Sequence, residues 1–438
     1  MLTKEDNERL CRVGPGTVMG NFMRQYWIPA LLSSELPAPD SDPVRVMLLG
    51  EQLIGFRDSN GRVGLLQNHC PHRGASLFFG RNEEAGLRCV YHGWKFDVEG
   101  RCVDMPNEPA ESDFRTRVRA VAYPTHEQGG VVFAYLGPRS EPPPMPDLEP
   151  LSLPVETLAV GAIQRECNWL QGLEGEIDTS HFGFLHYGAA DAETVEPGSF
   201  QYYAVKDRSP RYSVVDTDYG SMYGAYRPAM PGMVYWRIAH FLFPFWAMIP
   251  PGVLGLQKIA RAWVPMDDEH TMFFTISPKP TLDPRHARPY PRRIPQVGPL
   301  LPNTTDWFGR FRLENNARND YNVDRDMQRR REDFTGIRGI HDQDQAVTES
   351  MGPIYDRSSE HLGSSDAMVI RVRRRLLAAA DELAEHGTVP FSVDHPEVYR
   401  QRSGGTFLPE GADWIEATAE LRKAYVEHAG LDPALARM

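Results

Sequence analysis

Cys70-Pro71-His72-Arg73-Gly74-Ala75 and, after sixteen residues counted from His72, Cys89-Val90-Tyr91-His92-Gly93-Trp94-Lys95-Phe96 decide how this chain folds. Each stretch offers one thiol and one imidazole, in the orders C-x-H and C-x-x-H. That donor set suits a [2Fe–2S] cluster of the Rieske type, in which two thiolates hold one iron and two neutral imidazoles hold the other. A structural zinc competes for the same residues, but zinc sites pair their ligands as C-x2-4-C and H-x3-5-H rather than as mixed pairs. The flanks agree with the cluster. Gly74 and Gly93 follow the ligand pairs and permit tight loops, and Pro71 stiffens the first of them.

About ninety residues on comes Asp178-Thr179-Ser180-His181, with His186 five positions later. A carboxylate and two imidazoles so close together suggest mononuclear iron of the two-His-one-carboxylate kind, which keeps positions open for oxygen. Taken alone, the run also reads as ordinary surface or core residues. The upstream cluster favours the iron reading: together the two runs read as an electron-input cluster and an oxygen-activating iron. Asp178 and His181 are three apart and share a helical face, whereas His181 and His186 are five apart, about 140° off on a regular helix. The spacing therefore predicts a helix broken between the two histidines, with Gly183 at the break.

The chain has 438 residues, enough for two or three domains, with 41% hydrophobic residues and a net charge of −12. That charge argues against nucleic acid as a partner. No apolar run approaches the ~20 residues that span a bilayer, and the polar, acidic N-terminus is unlike a secretory signal. Of Cys11, Cys70, Cys89, Cys102 and Cys167, two are assigned to the cluster and three form no even disulfide framework. We expect a cytoplasmic protein.

Punctuation divides the chain into a helical and extended lead-in over residues 1–40, an all-β domain over 41–138, a linker over 139–154 and a second domain over 155–438. Val44-Arg45-Val46-Met47-Leu48-Leu49, Gln52-Leu53-Ile54-Gly55-Phe56 and Val131-Val132-Phe133-Ala134-Tyr135 read as strands. Seven prolines stand between residues 138 and 154, so that stretch continues neither sheet nor helix. Residues 366–386 read as a long helix with Val369, Leu376, Leu377, Ala380 and Leu383 as its stripe, ending at Gly387. Residues 412–428 read as another, ending near Gly430. The basic runs at 329–331 and 371–375 read as solvated or intersubunit faces. Gly14-Pro15-Gly16 reads as a turn, and no G-x-G-x-x-G nucleotide fingerprint follows a strand.

The two ligand strings, together with Asn168-Trp169-Leu170-Gln171 and the run through Asp178, His181 and His186, resemble the motifs of Rieske non-heme iron ring-hydroxylating oxygenases. The length, the Val13-Gly14-Pro15-Gly16 opening and the long C-terminal region are most similar to the phthalate 4,5-dioxygenase group. The resemblance implies an α+β α-subunit: an all-β Rieske domain, then a helix-grip domain of helices on a curved antiparallel sheet. It implies Cys70, His72, Cys89 and His92 as cluster ligands, and His181, His186 and a distant carboxylate as ligands of mononuclear Fe(II). Asp344, in Gln343-Asp344-Gln345-Ala346-Val347-Thr348-Glu349, matches that carboxylate, with Asp342 the runner-up. The position of Gln343 is an acid in related sequences. Asp178 is implied to be a bridge carrying electrons from His92 of a neighbouring subunit to His181, and hence a homotrimer or a multiple of one.

The same resemblance implies O2 as co-substrate and electrons from a separate flavin and iron–sulfur reductase that oxidises NADH. The expected reaction is cis-dihydroxylation of an aromatic carboxylate such as a phthalate. A monooxygenase that cleaves an aromatic ether or O-methyl group shares these motifs, and a Rieske electron carrier or iron-binding protein without oxygenase activity needs only the first of them. The aromatics Tyr223, Tyr226, Tyr235, Trp236, Phe241, Phe243, Phe245 and Trp246 fall where pocket strands belong, most of them as core. Arg208, Arg227 and Arg237 are the candidates for a substrate carboxylate, because a guanidinium binds it through two parallel hydrogen bonds.

Overall fold

A computed structural model describes residues 2–109, 111–195, 197, 199–279, 296–428 and 431. Two short helices come first, α1 (Lys4–Cys11) capped by Thr3 and α2 (Val18–Met23) capped by Thr17, with Gly14-Pro15-Gly16 in the turn between them. Strands β1 (Trp27–Leu32), β2 (Val44–Leu48), β3 (Glu51–Arg57), β4 (Val63–Gln67), β5 (Arg81–Glu83), β6 (Gly86–Arg88), β7 (Lys95–Phe96), β8 (Cys102–Asp104), β9 (Ala122–Tyr123), β10 (Thr125–Gln128) and β11 (Val131–Tyr135) follow. They form three antiparallel sheets, in the orders β1-β11-β10, β2-β3-β4-β9 and β5-β6-β7-β8. The last of these carries a small core of its own, Leu77, Leu87 and Phe96 with Ile54, Phe56 and Leu66, directly behind the two cysteine loops.

The second half is built on one antiparallel sheet. Its members are β12 (Leu158–Arg165), β13 (Arg211–Thr217), β14 (Gly220–Pro228), β15 (Met233–Leu242), β16 (Trp246–Met248), β17 (Ala260–Pro265), β18 (Thr271–Pro278) and β19 (Gly404–Pro409). The order is β12-β18-β17-β16-β15-β14-β13, with β19 paired to β15. Period-two alternation divides the faces. In the β14–β15 register Arg227 stands opposite Tyr235 and Ala225 opposite Arg237, so Tyr223, Arg227, Tyr235 and Arg237 share one face. The other face presents Met222, Trp236 and Ile238 to Leu408 and Trp414.

Helices α3 (Trp169–Ile177), α4 (Phe182–Leu185) and α5 (Phe200–Lys206) lie between β12 and β13 in the chain; α6 (Arg325–Arg329), α7 (Ile340–Glu349), α8 (Ala367–His386), α9 (Phe391–Asp394) and α10 (Trp414–Ala417) come later. Helix α3 lies so close to β17 that a Cβ at Gly172 would meet the Trp263 ring at 2.1 Å. The lead-in helices pack on this half too: Asn168 donates to the Cys11 carbonyl at 2.9 Å and Trp169 to the Leu10 carbonyl at 3.2 Å. No helix among the described residues is long and apolar enough to cross a membrane.

The architecture is the expected α+β one, and the long helix ends where it should, at Gly387 with φ 69°. Two local expectations fail. Residues 412–428 do not form one helix. Only Trp414–Ala417 is helical, and the chain then turns back so that its amides and carbonyls pair with residues 400–402, Arg402 to Arg422 at 2.8 Å and Ala424 to Arg400 at 3.3 Å. Gly430, the expected stop, lies outside the described residues. The basic run at 371–375 is not wholly solvated either. Arg373 is buried and pairs with Glu174 at 2.6 Å and with Glu360, while Arg357 holds the same Glu174 at 2.9 Å. The Pro-rich stretch has no strand, and it is anchored: Glu149 is buried against Arg402 at 2.6 Å, and Trp27 donates to the Pro143 carbonyl at 2.7 Å.

Candidate metal centres

The two cysteine loops are closed the same way. In the loop after β4, the Cys70 amide donates to Ala75 O at 2.8 Å and the Gly74 amide to Cys70 O at 2.9 Å. In the loop between β6 and β7, the Cys89 amide donates to Trp94 O at 2.8 Å and the Gly93 amide to Cys89 O at 2.9 Å. Both glycines sit at positive φ, +74° and +79°, where a side chain is strained. The loops face each other. The Cys70 and Cys89 thiols are buried, the His72 and His92 rings lie 4.4 Å apart, and His72 stacks on Trp94 at 4.3 Å. Burial pushes the Cys70 thiol up to about 11, with Cys89 adding to the effect. Coordination reverses that, because a metal-bound thiol is deprotonated. The His92 Nδ1 is buried without a hydrogen-bond partner among the described residues. Two inner thiols, two outer imidazoles and an idle ring nitrogen fit a [2Fe–2S] cluster of the Rieske type.

His181 and His186 frame α4, and Asp344 comes from α7. Their ligating atoms all lie within 4.8 Å of one another, the one such His/His/carboxylate group among the described residues. His186 Nε2 is 3.2 Å and His181 Nε2 3.7 Å from the same Asp344 oxygen. Burial alone would raise the Asp344 carboxyl; the two imidazoles outweigh it and hold it well below the ordinary carboxylate range. One carboxylate and two imidazoles suit a divalent ion, and three donors leave room for others around it. The fit to mononuclear iron is good. Asp342 does not join it: fully buried, it accepts from the Gly298 amide and from Asn315, both at 2.8 Å.

The expected helix break is displaced. Helix α3 ends at Ile177, and Asp178 is extended, with φ −86° and ψ 120°. Its carboxylate accepts from the amides of Ser180 at 2.6 Å and His181 at 3.1 Å. Asp178 thus ends one helix and closes the turn that leads into the next, as short acids do when their side chains compete with the backbone. It does not share a helical face with His181, and the turn between His181 and His186 is continuous. Gly183 is not the distortion. It lets α4 approach, since a Cβ there would meet Ala204 O at 3.3 Å and the Arg208 side chain at 3.4 Å.

Asp178 also receives Tyr212 Oη at 3.3 Å and lies 3.4 Å from His181 Nδ1. Burial opposes its ionisation, but His181 and Ser180 bring its pKa down to about 2. His181 is correspondingly held above its ordinary value: burial pulls it down, and Asp178 and Asp344 more than offset that.

The three arginines separate. Arg208 donates to the carbonyls of Gly183 at 2.7 Å and Ala190 at 3.0 Å, so it fastens the α4 segment. Arg227 and Arg237 are buried on the sheet face. Arg237 binds Thr179 and the Pro250 carbonyl and lies over the Phe200 ring at 4.2 Å and the Phe182 ring at 5.3 Å. Phe182 in turn touches His186, with ring centroids 5.6 Å apart. Arg227 spends Nε on Asp207 O at 2.7 Å, and neither of its Nη atoms has a partner among the described residues. Burial, with Arg237 next, brings its pKa down to about 10.

Two residues near the site escaped sequence reasoning. His341 is buried three positions before Asp344, its Nδ1 3.9 Å from that carboxylate, and burial keeps it neutral with a pKa of about 3. Gln343 meets His186 Nδ1 at 2.7 Å. The departure from an acid at 343 was the only signal of the second, and nothing in the sequence singles out His341.

Comparison with known proteins identifies both halves of the chain. The Rieske [2Fe-2S] domain family matches residues 26–123, and the family described as LigXa C-terminal domain like matches residues 134–435. The chain is 49% identical to the 3-chlorobenzoate-3,4-dioxygenase oxygenase subunit of Comamonas testosteroni, over 95% of this chain and 98% of that one. It is 40% identical to the phthalate 4,5-dioxygenase oxygenase subunit of Pseudomonas putida, over 86% of each. Among solved structures, dicamba monooxygenase bound to dicamba shares the fold, with a TM-score of 0.56 at 16% identity over 83% of this chain and 99% of that one.

Proposed function

This chain belongs to the Rieske non-heme iron oxygenases as the oxygenase subunit of a multicomponent enzyme of the aromatic dioxygenase group, and from that premise we propose that it cis-dihydroxylates an aromatic carboxylate of the benzoate or phthalate type. The observation that carries the substrate class is the buried guanidinium pair on the sheet face toward Phe182 and Phe200, with both Arg227 Nη atoms unpartnered among the described residues. Buried donors without acceptors cost about 1–3 kcal/mol each, more when charged, so a ligand that supplies the acceptors is strongly favoured. Arg237 reaches the metal turn through Thr179 and Phe182. A carboxylate held by the pair would set its ring against His181 and His186.

In this reading Cys70, His72, Cys89 and His92 hold the cluster, and His181, His186 and Asp344 hold iron. When bound, the cluster would supply electrons singly and the iron would supply the chemistry that activates O2. The chain's own residues do the rest. Arg227 and Arg237 orient the ring, and the aromatic wall of Phe182 and Phe200 excludes water. Asp178 stays ionised, and it orients His181 from one side. Its 22% side-chain exposure leaves the other side for His92 of a neighbouring copy. That bridge requires a trimer or a multiple of one, and the paired electrons come from NADH through a separate reductase in the cytoplasm. Ring, O2, two electrons and two protons give the diol in balance.

Single turnover of reduced, iron-replete protein with labelled O2 tests this, using 3-chlorobenzoate, phthalate isomers and methoxybenzoates. A cis-diol carrying both labelled atoms is the expected product. Formaldehyde, or a phenol with one labelled atom, would move the protein to the ether-cleaving monooxygenases. No product from any carboxylate would sink the substrate class.

A further inference from the structure

We propose that Gln343, anchored by Asp333, is a positioning residue that fixes His186 as its Nδ1–H tautomer and so points the Nε2 lone pair at the metal. The inference rests on the reading of His186 as an iron ligand.

Gln343 has no solvent exposure. Its amide nitrogen donates to Ile337 O at 2.8 Å and to an Asp333 carboxylate oxygen at 3.3 Å. Both partners are acceptors only, so the amide cannot be flipped: its oxygen would then face a carbonyl and a carboxylate. The oxygen must therefore face His186 Nδ1, at 2.7 Å. An amide oxygen only accepts, so Nδ1 carries the proton, and a neutral ring then has its lone pair on Nε2. That is the nitrogen 3.2 Å from Asp344. Asp333 is itself fixed, its other oxygen accepting from the Thr335 amide at 2.8 Å, the Thr335 hydroxyl at 2.6 Å and the Gly336 amide at 3.1 Å.

The chemistry of position 343 follows. A carboxylate there could accept the same N–H, but its second oxygen would face the Ile337 carbonyl and the Asp333 carboxylate, and it would add negative charge beside the ring. The amide orients without adding charge, and the carboxylate is kept one link away. Neighbouring residues of α7 thus serve both sides of the site, Asp344 as ligand and Gln343 as the clamp on His186.

The test is retention of Fe(II) against a chelator in the full-length protein, with the cluster's visible spectrum as an internal measure of folding. Gln343→Leu should release mononuclear iron about 10-fold or more readily, with the cluster spectrum unchanged. Gln343→Glu alone should also loosen iron, because its carboxylate faces Ile337 O and Asp333. Asp333→Asn added to Gln343→Glu restores a donor opposite that carboxylate, and should recover most of the loss. If Gln343→Leu holds iron like the unaltered protein while His186→Ala loses it, the clamp is wrong. If His186→Ala keeps its iron, the ligand reading is wrong instead. Should Gln343→Leu not fold, the pair decides: a double variant no tighter than Gln343→Glu overturns the proposal.

Discussion

The two metal centres are assembled in opposite ways. Each cluster loop is a closed unit of six residues whose cysteine, histidine, glycine and backbone hydrogen bonds are local, backed by a small core. The iron site has no such unit. Its helix α4 is a single turn, and the partners that complete it stand far away in sequence, Gln343 157 residues from His186. A local site depends on turn chemistry, and a distant one depends on the packing of α3, α4 and α7. The first should therefore tolerate damage to the second.

Asp344→Ala should show this most plainly. Turnover should disappear and iron should fall from about three to about two per chain, with the cluster spectrum intact. Loss of the cluster as well would mean that the two centres fold as one. Asp178→Asn separates the centres without emptying either. Both centres should keep their iron while turnover falls about 10- to 100-fold, on the order of what removing an orienting group costs a metal site. Normal turnover in that variant would remove the electron bridge.

Below these in effect is the platform under α3. Glu174 lies between Arg357 and Arg373. Burial alone would raise its carboxyl, but the two guanidiniums hold it below the ordinary 4.5. A carboxyl depressed in the folded state contributes stability above its unfolded pKa, and that contribution is lost as pH falls through the folded one. The protein should therefore lose stability to acid below about pH 4.5. Glu174→Gln should cost about 3–5 kcal/mol near neutrality, since it leaves two buried cations short of a partner, and should flatten the acid limb. Chemical denaturation across pH measures both. An unchanged acid limb would assign that sensitivity to other carboxylates.

What the sequence makes legible follows the same division. Cysteine, histidine and glycine at fixed offsets specify the cluster loops, the unbroken apolar run Val131–Tyr135 reads as a strand buried on both faces, and the stripe of Ala367–His386 carries its own helical periodicity. Side-chain competition with the backbone is harder to read. Asp178-Thr179-Ser180 looks like the end of a helix carrying His181, yet the Asp178 carboxylate captures two amides and moves the break upstream. Arg373 looks solvated within a basic run because its partners, Glu174 and Glu360, lie in other segments. The same distance hides His341 and the roles that divide Arg208 from Arg227. Residues 412–428 have helical composition, but pairing with residues 400–402 takes their backbone instead.

The arginines offer a smaller test of the contrast. Arg227→Met should raise KM for an aromatic carboxylate about 10- to 100-fold, the worth of a charge-assisted hydrogen bond or two, with iron retained. Arg208→Met should do the reverse. It frees the carbonyls of Gly183 and Ala190, so iron retention and stability should drop with little change in KM. Equal KM effects would erase the distinction between a pocket arginine and a structural one.

The least of the expected effects lies within the cluster domain, where two loops with the same hydrogen bonds are not equivalent. Gly74 and Gly93 both have positive φ, so alanine at either costs roughly 1–2 kcal/mol of backbone strain. A Cβ at Gly74 meets nothing within 4 Å, whereas at Gly93 it would meet Pro106 Cγ at 2.6 Å. Gly74→Ala should thus lower stability by the strain alone and keep the cluster spectrum. Gly93→Ala must also shift Pro106, in the segment beside the Trp94–Asn107 hydrogen bond of 2.7 Å that steadies the ring stacked on His72. Its larger loss should come with a displaced cluster potential, read by redox titration. Equal losses with unchanged potentials would make the loops interchangeable after all, and would place the asymmetry of this domain in its ligands alone.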